Sequence, residues 1–420
     1  MSMSQPPGAH SKPLSGVRVL DLGWVWAGPM AAAFLADLGA EVIKIEHSER
    51  LDNSRLRGAP IVDGKKLRIP GKSIELVPLF HNLNRHKLSA RLNIRDERGA
   101  DLFRQLAAKS DVVLENFTPG TLAALGLDYA ALAREHGELI MISLSTAGQF
   151  GPIADLRGYA PVISAYSGLE ALIGYENEAP SGMMNFGLND SSSGIHALFA
   201  LLAALWHREQ TGQGQYIDLS QMEVGAAPLA EAMLDFQFSG KAPHPTGNGH
   251  RRYCPHGIFP CAGEDSWVAI SVEDDGQWPA LCMVIGENDW AHRADLIGHA
   301  GRMSARAAIE ARLAAWTAGQ SRESVLAELV PRGVPATPVL SIEEQFEDAH
   351  YVARGVRQVV SHPIMGEELL YRLPWQMSGT DLTLSASSPE LGAHDAYVYG
   401  QILGLDAQSI ERLREEKVIY

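Results

Sequence analysis

Asp190 stands where a carboxylate can act as a nucleophile. It lies in Asn189-Asp190-Ser191-Ser192-Ser193-Gly194, directly ahead of a long segment with an apolar stripe. Asp at such a start is a favoured helix N-cap, and serine-rich starts are common. The same placement suits catalysis, because the free N–H groups of a helix start keep a carboxylate ionised and stabilise an oxyanion beside it. Local sequence leaves both roles open.

The turn Gly23-Trp24-Val25-Trp26-Ala27-Gly28-Pro29 follows a strand-like run and precedes an alanine-rich one. In a parallel sheet that is the carboxyl edge, where ligands bind. Trp24 and Trp26 read as core residues or as pocket walls. The turn is not a GxGxxG fingerprint, and the chain has no GxxxxGK[ST] loop. Lys44, Arg55, Arg85 and Lys87 are either solvated charges or phosphate contacts, and Arg85-His86-Lys87 is the tightest group. Cys254, His256 and Cys261 fit no standard zinc spacing and lack a fourth ligand, so no metal is expected. No GxSxG elbow is present.

The elements that must position these residues alternate. Val17–Leu22, Glu41–Glu46, Leu88–Leu92, Asp111–Asn116 and Leu139–Ser145 read as strands, with helical stretches between most of them. That order predicts βαβ units and a parallel, Rossmann-like α/β sheet covered on both faces. After Asp190, Ile195, Leu198, Phe199, Leu202, Leu205 and Trp206 recur at helical spacing as one apolar stripe that stops at Gly212–Gly214. Residues 239–260 are rich in Gly, Pro, His and Arg and read as a linker or active-site loop. A smaller α+β domain is expected beyond it, with helices near Gln277–Ile285 and Ala305–Thr317, and a charged helix, Asp406–Glu416, closes the chain.

The chain has 420 residues, 46% apolar and 20% charged, which suits a soluble protein of about two domains. A net charge of −15 argues against nucleic acid but leaves room for one anionic cofactor held by a few cations and helix starts. No apolar run is long enough for a membrane helix, and residues 1–13 read as a flexible tail rather than a signal peptide. Three cysteines point to a reducing cytoplasm.

A series of segments, taken in order, resembles the CaiB/BaiF (family III) coenzyme A transferases. The opening Leu14-Ser-Gly-Val-Arg-Val-Leu-Asp-Leu-Gly23, Ala27-Gly-Pro29 and Leu38-Gly-Ala-Glu-Val-Ile-Lys-Ile-Glu46 are followed by Asn84-Arg-His-Lys-Leu88 and Asp111-Val-Val-Leu-Glu-Asn-Phe-Thr-Pro-Gly120. Gly148-Gln-Phe-Gly-Pro152, Asn189-Asp-Ser-Ser-Ser-Gly194, Leu202–Gln215, Gly333–Val339 and Leu391-Gly-Ala-His394 continue it.

The resemblance implies a Rossmann-like large domain at 14–220 and a linker helix and loop at 221–245. It further implies a small domain at 246–345, a segment at 346–420 that returns to the large domain, and an interlocked homodimer. It implies that Asp190 carries the acyl group between an acyl-CoA and a small organic acid, through anhydride and thioester intermediates. Coenzyme A enters as substrate, with no nicotinamide or flavin. Its contacts are expected from Trp24, Val25, Trp26, Ala27, Lys44, Arg85, Lys87, Asn116, Phe117, Gln149 and Tyr159.

The sequence departs from formyl- and oxalyl-transferring members at Trp26 and Gln149, and it lacks their glycine run. Ala124 replaces a common Arg. The two tryptophans suggest a bulkier or more apolar acid. Racemases of the same fold need a His where Tyr159 stands, and tyrosine, with a pKa of about 10, is a poor base. Racemase or epimerase activity, or a non-catalytic acyl-CoA-binding subunit, are the alternatives.

Overall fold

Six short segments form strands, and most of their residues are buried, as in a parallel sheet covered on two sides. In the computed structural model, which describes residues 12–183 and 187–420, they are β1 (Arg18–Asp21), β2 (Glu41–Glu46) and β3 (Leu88–Arg91), then β4 (Val112–Glu115), β5 (Ile140–Ser145) and β6 (Tyr216–Ser220). All pair in parallel, in the order β3-β2-β1-β4-β5-β6. This is the doubly wound order, in which the winding reverses between β1 and β4 and leaves a crevice at their carboxyl ends. Most of the expected N-terminal tail lies outside the described residues.

One face carries Val19, Val42, Leu114, Ile142 and Leu144 and packs under α1 (Ala27–Asp37) and the long helix that follows Asp190. Between α1 and that helix come α2 (Pro78–Asn84), α3 (Glu97–Ala107) and α4 (Ala160–Ser167). The long helix is α5 (Leu188–Thr211), and it ends at Gly212, whose φ of +69° only glycine adopts freely. The opposite face, with Leu20, Ile43, Val113 and Met141, is covered by α3 and by Val398, Tyr399, Ile410, Val418 and Ile419 near the chain end. The Asn93 N–H donates to Val418 O at 2.8 Å, which ties that end to the loop after β3.

The expected single stripe on α5 is divided. Leu198, Leu201 and Leu205 are buried, whereas Ile195, Phe199 and Trp206 face outwards, the last two 74% and 70% exposed. A 3.6-residue period identifies a helix but does not show which of two apolar sides faces the sheet.

The chain forms two compact units. The first holds residues up to 169, 183–234 and 353–420, and the second holds 170–182 and 235–352. The second unit has an antiparallel sheet, β7 (His256–Pro260), β8 (Trp267–Ser271) and β9 (Ala336–Pro338), with β8 central. Its core includes Phe259, Val268, Ile270, Trp278, Leu281 and Leu313. No helix among the described residues is long and apolar enough to cross a membrane.

Candidate functional site

The turn after β1 is held from every side. Asp21 Oδ1 accepts the Gly23 N–H at 2.7 Å, and Lys87 Nζ donates to Asp21 Oδ2 at 2.7 Å and to Pro29 O at 2.8 Å. Lys44 Nζ donates to Gly23 O at 2.6 Å and to Asp52 Oδ2 at 3.0 Å, while Asp52 Oδ1 accepts the Val25 N–H at 2.9 Å. Asn116 Oδ1 accepts the Trp24 N–H and Asn116 Nδ2 donates to Trp24 O, both at 2.8 Å. Val25 sits at φ +69°, a strained place for a β-branched residue that costs of order 1–3 kcal/mol and persists only where surroundings over-determine it. The Asp52 acceptor supplies part of that determination.

Burial opposes ionisation of Asp52. The Lys44 charge and the Val25 and Ser54 amides outweigh it and hold the carboxyl below its usual range. Burial also works against the Lys44 ammonium, yet Asp52 and Asp21 keep its pKa raised. At Lys87 burial wins, and its pKa falls to about 8 despite Asp21.

Asp190 lies in the first turn of α5. The N-cap is Gly187, so the expectation that Asp190 itself caps the helix is corrected. A Cβ built on Gly187 would lie 3.5 Å from the Trp26 ring and 3.6 Å from Asp190 Oδ2, so indole and carboxylate share this corner. Burial pushes the Asp190 carboxyl up to about 6, against the pull of the Arg57 charge. Desolvation therefore outweighs the helix start that was expected to keep this group fully charged.

A cleft of about 530 Å³ opens above this corner, at the reversal point of the sheet. Trp24, Val25, Trp26, Asn116, Phe117, Tyr159 and Asp190 all line it. Tyr159 Oη accepts a hydrogen bond from Asn53 Nδ2 at 3.2 Å. Ala27 is buried as the first residue of α1, and its neighbour Gly28 approaches Leu114 and Asn116 closely.

Five expectations need correction. Lys44, Arg85 and Lys87 are buried internal cations rather than phosphate contacts, each already paired with a carboxylate. Arg85 Nε, for example, donates to Asp37 Oδ2 at 3.0 Å. Arg55 is likewise internal, bound to Glu46 and Glu75 and stacked over Phe80 at 3.7 Å. Gln149 lines a separate cavity of about 290 Å³ beside Glu115, Ser143 and Tyr216, and its N–H donates to the Asp218 carboxylate at 3.0 Å. Burial pushes Glu115 in that cavity up to about 7.

Sequence reasoning missed Asn53, Ser145, Arg157 and Gln221 in the cleft. It also missed a smaller pocket of about 130 Å³ with His47, Arg50, Asn93 and Arg95, which shares Trp24 and Phe117 as walls with the cleft. Position offered a signal: His47 and Asn93–Arg95 come just after β2 and β3, at the ligand-binding edge.

The sequence profile of "CoA-transferase family III" matches residues 14–395. The chain is a family III CoA-transferase. It is 33% identical to succinate–glutarate CoA-transferase of Agrobacterium fabrum, over 95% of this chain and 97% of that one. It is 32% identical to succinyl-CoA–D-citramalate CoA-transferase of Chloroflexus aurantiacus, over the full length of both. A CaiB/BaiF family crystal structure from Brucella suis superposes with a TM-score of 0.82 at 32% identity, covering 94% of this chain and all of that one. This CoA-transferase thus has the family's mixed α/β fold around a parallel sheet and moves CoA between an acyl-CoA and a carboxylic acid.

Proposed function

We propose that Asp190 is the nucleophile of this CoA-transferase. The observation behind the proposal is its placement: a largely buried carboxylate in the first turn of α5, facing the cleft at the sheet's reversal point. One Asp190 oxygen attacks the donor's thioester carbonyl. The C–S bond breaks, CoA thiolate leaves, and an aspartyl–acyl anhydride remains. The thiolate attacks the aspartyl carbonyl and displaces the donor acid as its carboxylate, leaving an aspartyl thioester. The acceptor carboxylate then attacks that carbonyl and expels the thiolate. Finally the thiolate attacks the acceptor's acyl carbon and regenerates the Asp190 carboxylate. Each exchange joins activated acyl species of similar energy, so one hard transfer becomes several easier ones.

The smaller pocket suits the nucleotide end of CoA, with His47, Arg50 and Arg95 offered to phosphates. The shared walls Trp24 and Phe117 then direct the thioester end towards Asp190. The acid we propose is a short dicarboxylate. Both relatives' names contain one, and Arg157 lines the cleft with no ion-pair partner among the described residues. The polar groups around the tryptophans argue for this over a bulky apolar acid. Racemisation is not favoured, because Tyr159, which lines the cleft with Asp190, stands where a racemase needs a His.

The exposed Ile195, Phe199 and Trp206 on α5 fit a second copy of the chain, since soluble proteins rarely leave such aromatic faces open. We read the assembly as a homodimer.

The deciding experiment is mass spectrometry after incubation with succinyl-CoA and hydroxylamine. Trapping at Asp190, absent in Asp190→Ala, supports the mechanism. Transfer without any modification at Asp190 overturns it.

A further inference from the structure

The cleft around Asp190 holds few charges. Besides Asp190, its charged or titratable lining side chains among the described residues are Arg157 and Tyr159. The charge that acts on the Asp190 carboxyl comes from outside that lining, from Arg57.

Arg57 directly follows a short 3-10 turn, Asn53–Leu56, as its C-cap. That turn is anchored to the cleft wall. Its N-cap, Asp52, accepts the Ser54 N–H at 2.8 Å and also holds Val25 and Lys44. Asn53 lines the cleft and donates to Tyr159 Oη. Arg55 is buried and locked between Glu46 and Glu75. The backbone that carries Arg57 is therefore fixed on the cleft side. Its side chain is exposed and has no hydrogen bond or ion pair among the described residues.

The proposed cycle changes the charge beside this cation. Asp190 is an anion when it attacks the donor and is neutral once it has become the aspartyl thioester. The acceptor enters at that neutral stage. Its carboxylate oxygen attacks the aspartyl carbonyl, the C–S bond breaks and CoA leaves as thiolate. A cation held near Asp190 has then lost one anion and meets another of the same kind. A guanidinium suits both, because it stays protonated and offers paired N–H donors to a carboxylate.

We infer that Arg57 binds the reacting carboxylate of the incoming acid, exchanging its attraction to Asp190 for that carboxylate when Asp190 is acylated. This rests on the proposed transfer at Asp190. The departing donor acid uses the same contact in reverse.

The test follows exchange of isotopically labelled succinate into succinyl-CoA. A transferase that uses this donor catalyses it, because the departing acid can return. In Arg57→Gln kcat/KM for succinate is expected to fall at least about tenfold, through loss of a charge-assisted contact. Arg57→Lys keeps the charge and is expected to recover most of that loss. Affinity for CoA alone, measured by calorimetry, should match the wild type in both.

A pH profile separates this role from a structural one. The Arg57 charge pulls the Asp190 carboxyl down against burial. In Arg57→Gln the acidic limb of the single-turnover rate with succinyl-CoA therefore moves to higher pH, and in Arg57→Lys it stays in place. Unchanged kcat/KM for succinate in Arg57→Gln, or an unmoved limb, overturns the inference. Weaker binding of CoA alone also overturns it and assigns Arg57 to the phosphates of the nucleotide. A wild type with no exchange, or one trapped by hydroxylamine at another residue, would instead sink the reading of Asp190.

Discussion

The Asn116 side chain pairs with the Trp24 backbone as a neighbouring strand would, its Oδ1 accepting from N–H and its Nδ2 donating to C=O, each at 2.8 Å. The two residues stand 92 positions apart and close the crevice between β1 and β4. In the next residue, Phe117, the ring packs edge-on against Trp24 with centroids 6.0 Å apart. One amide thus sets both the strained turn and a shared wall of two cavities.

Asn116→Leu removes both bonds and strands two backbone groups, which costs about 1–3 kcal/mol for each group that stays dry. We expect kcat/KM to fall at least about tenfold, because displacement of a positioning loop by an ångström has that effect. Steady-state kinetics and tryptophan emission check it; unchanged values for both refute the role.

Asp52→Ala leaves the buried Lys44 ammonium without its carboxylate and frees the Val25 N–H. Breaking one side of a buried pair costs about 3–5 kcal/mol. Urea denaturation of Asp52→Ala should show that loss. Lys44→Met combined with Asp52→Leu should recover part of it. Because the folded-state pKa of Asp52 is depressed, its stabilisation is present above about pH 4 and is lost as pH falls through that range.

For Asp190 the sign is opposite. Its carboxyl is raised to about 6, so the folded state holds the proton more tightly and ionisation costs stability as pH rises from about 4 to 6. Asp190→Asn is expected to abolish transfer and to stabilise the fold by about 1–3 kcal/mol at pH 8. In the wild type the single-turnover rate should climb about tenfold per pH unit below about 6 and level off above it. A rate flat from pH 5 to 8 contradicts the assignment.

His362 is buried, stacked on His81 at 4.2 Å, and its Nδ1 accepts the Ile364 and Met365 N–H groups at 3.1 Å. Burial, then His81, lowers its pKa; Glu368, Glu390 and Arg55 also act on it. The unfolded chain therefore takes up a proton that the folded one resists, and stability is lost as pH falls below about 6.5. His362→Asn keeps an acceptor without titrating. Its melting temperature should fall less than that of wild type between pH 7 and pH 5.

Phe199→Asp with Trp206→Asp places charges on the exposed face of α5. Light scattering should show the wild type as a dimer and the double variant as a monomer. A monomeric wild type refutes the proposed association.

Much of the architecture was legible because its signals are local. Strand-like runs alternate with helical ones, Gly212 stops α5, and Ala407–Glu415 forms the final helix with Asp406 as its cap. Asp190 was legible as a residue opening a helix on the ligand side of the sheet. What was misread depended on partners distant in sequence. Lys87 looks like a free cation until the sheet brings Asp21 to it from 66 positions away, and Arg85 until α1 presents Asp37 from 48.

By itself, then, the sequence determined the order of elements, the doubly wound class they belong to, and the carboxylate at the head of α5. Only the tertiary structure decided which charges are internal, which side of α5 stays exposed, and that Gln149 belongs to another cavity. The physical reason is that a parallel sheet pairs strands far apart in the chain. Register and burial choose each side chain's partner there, and local pattern does not encode that choice.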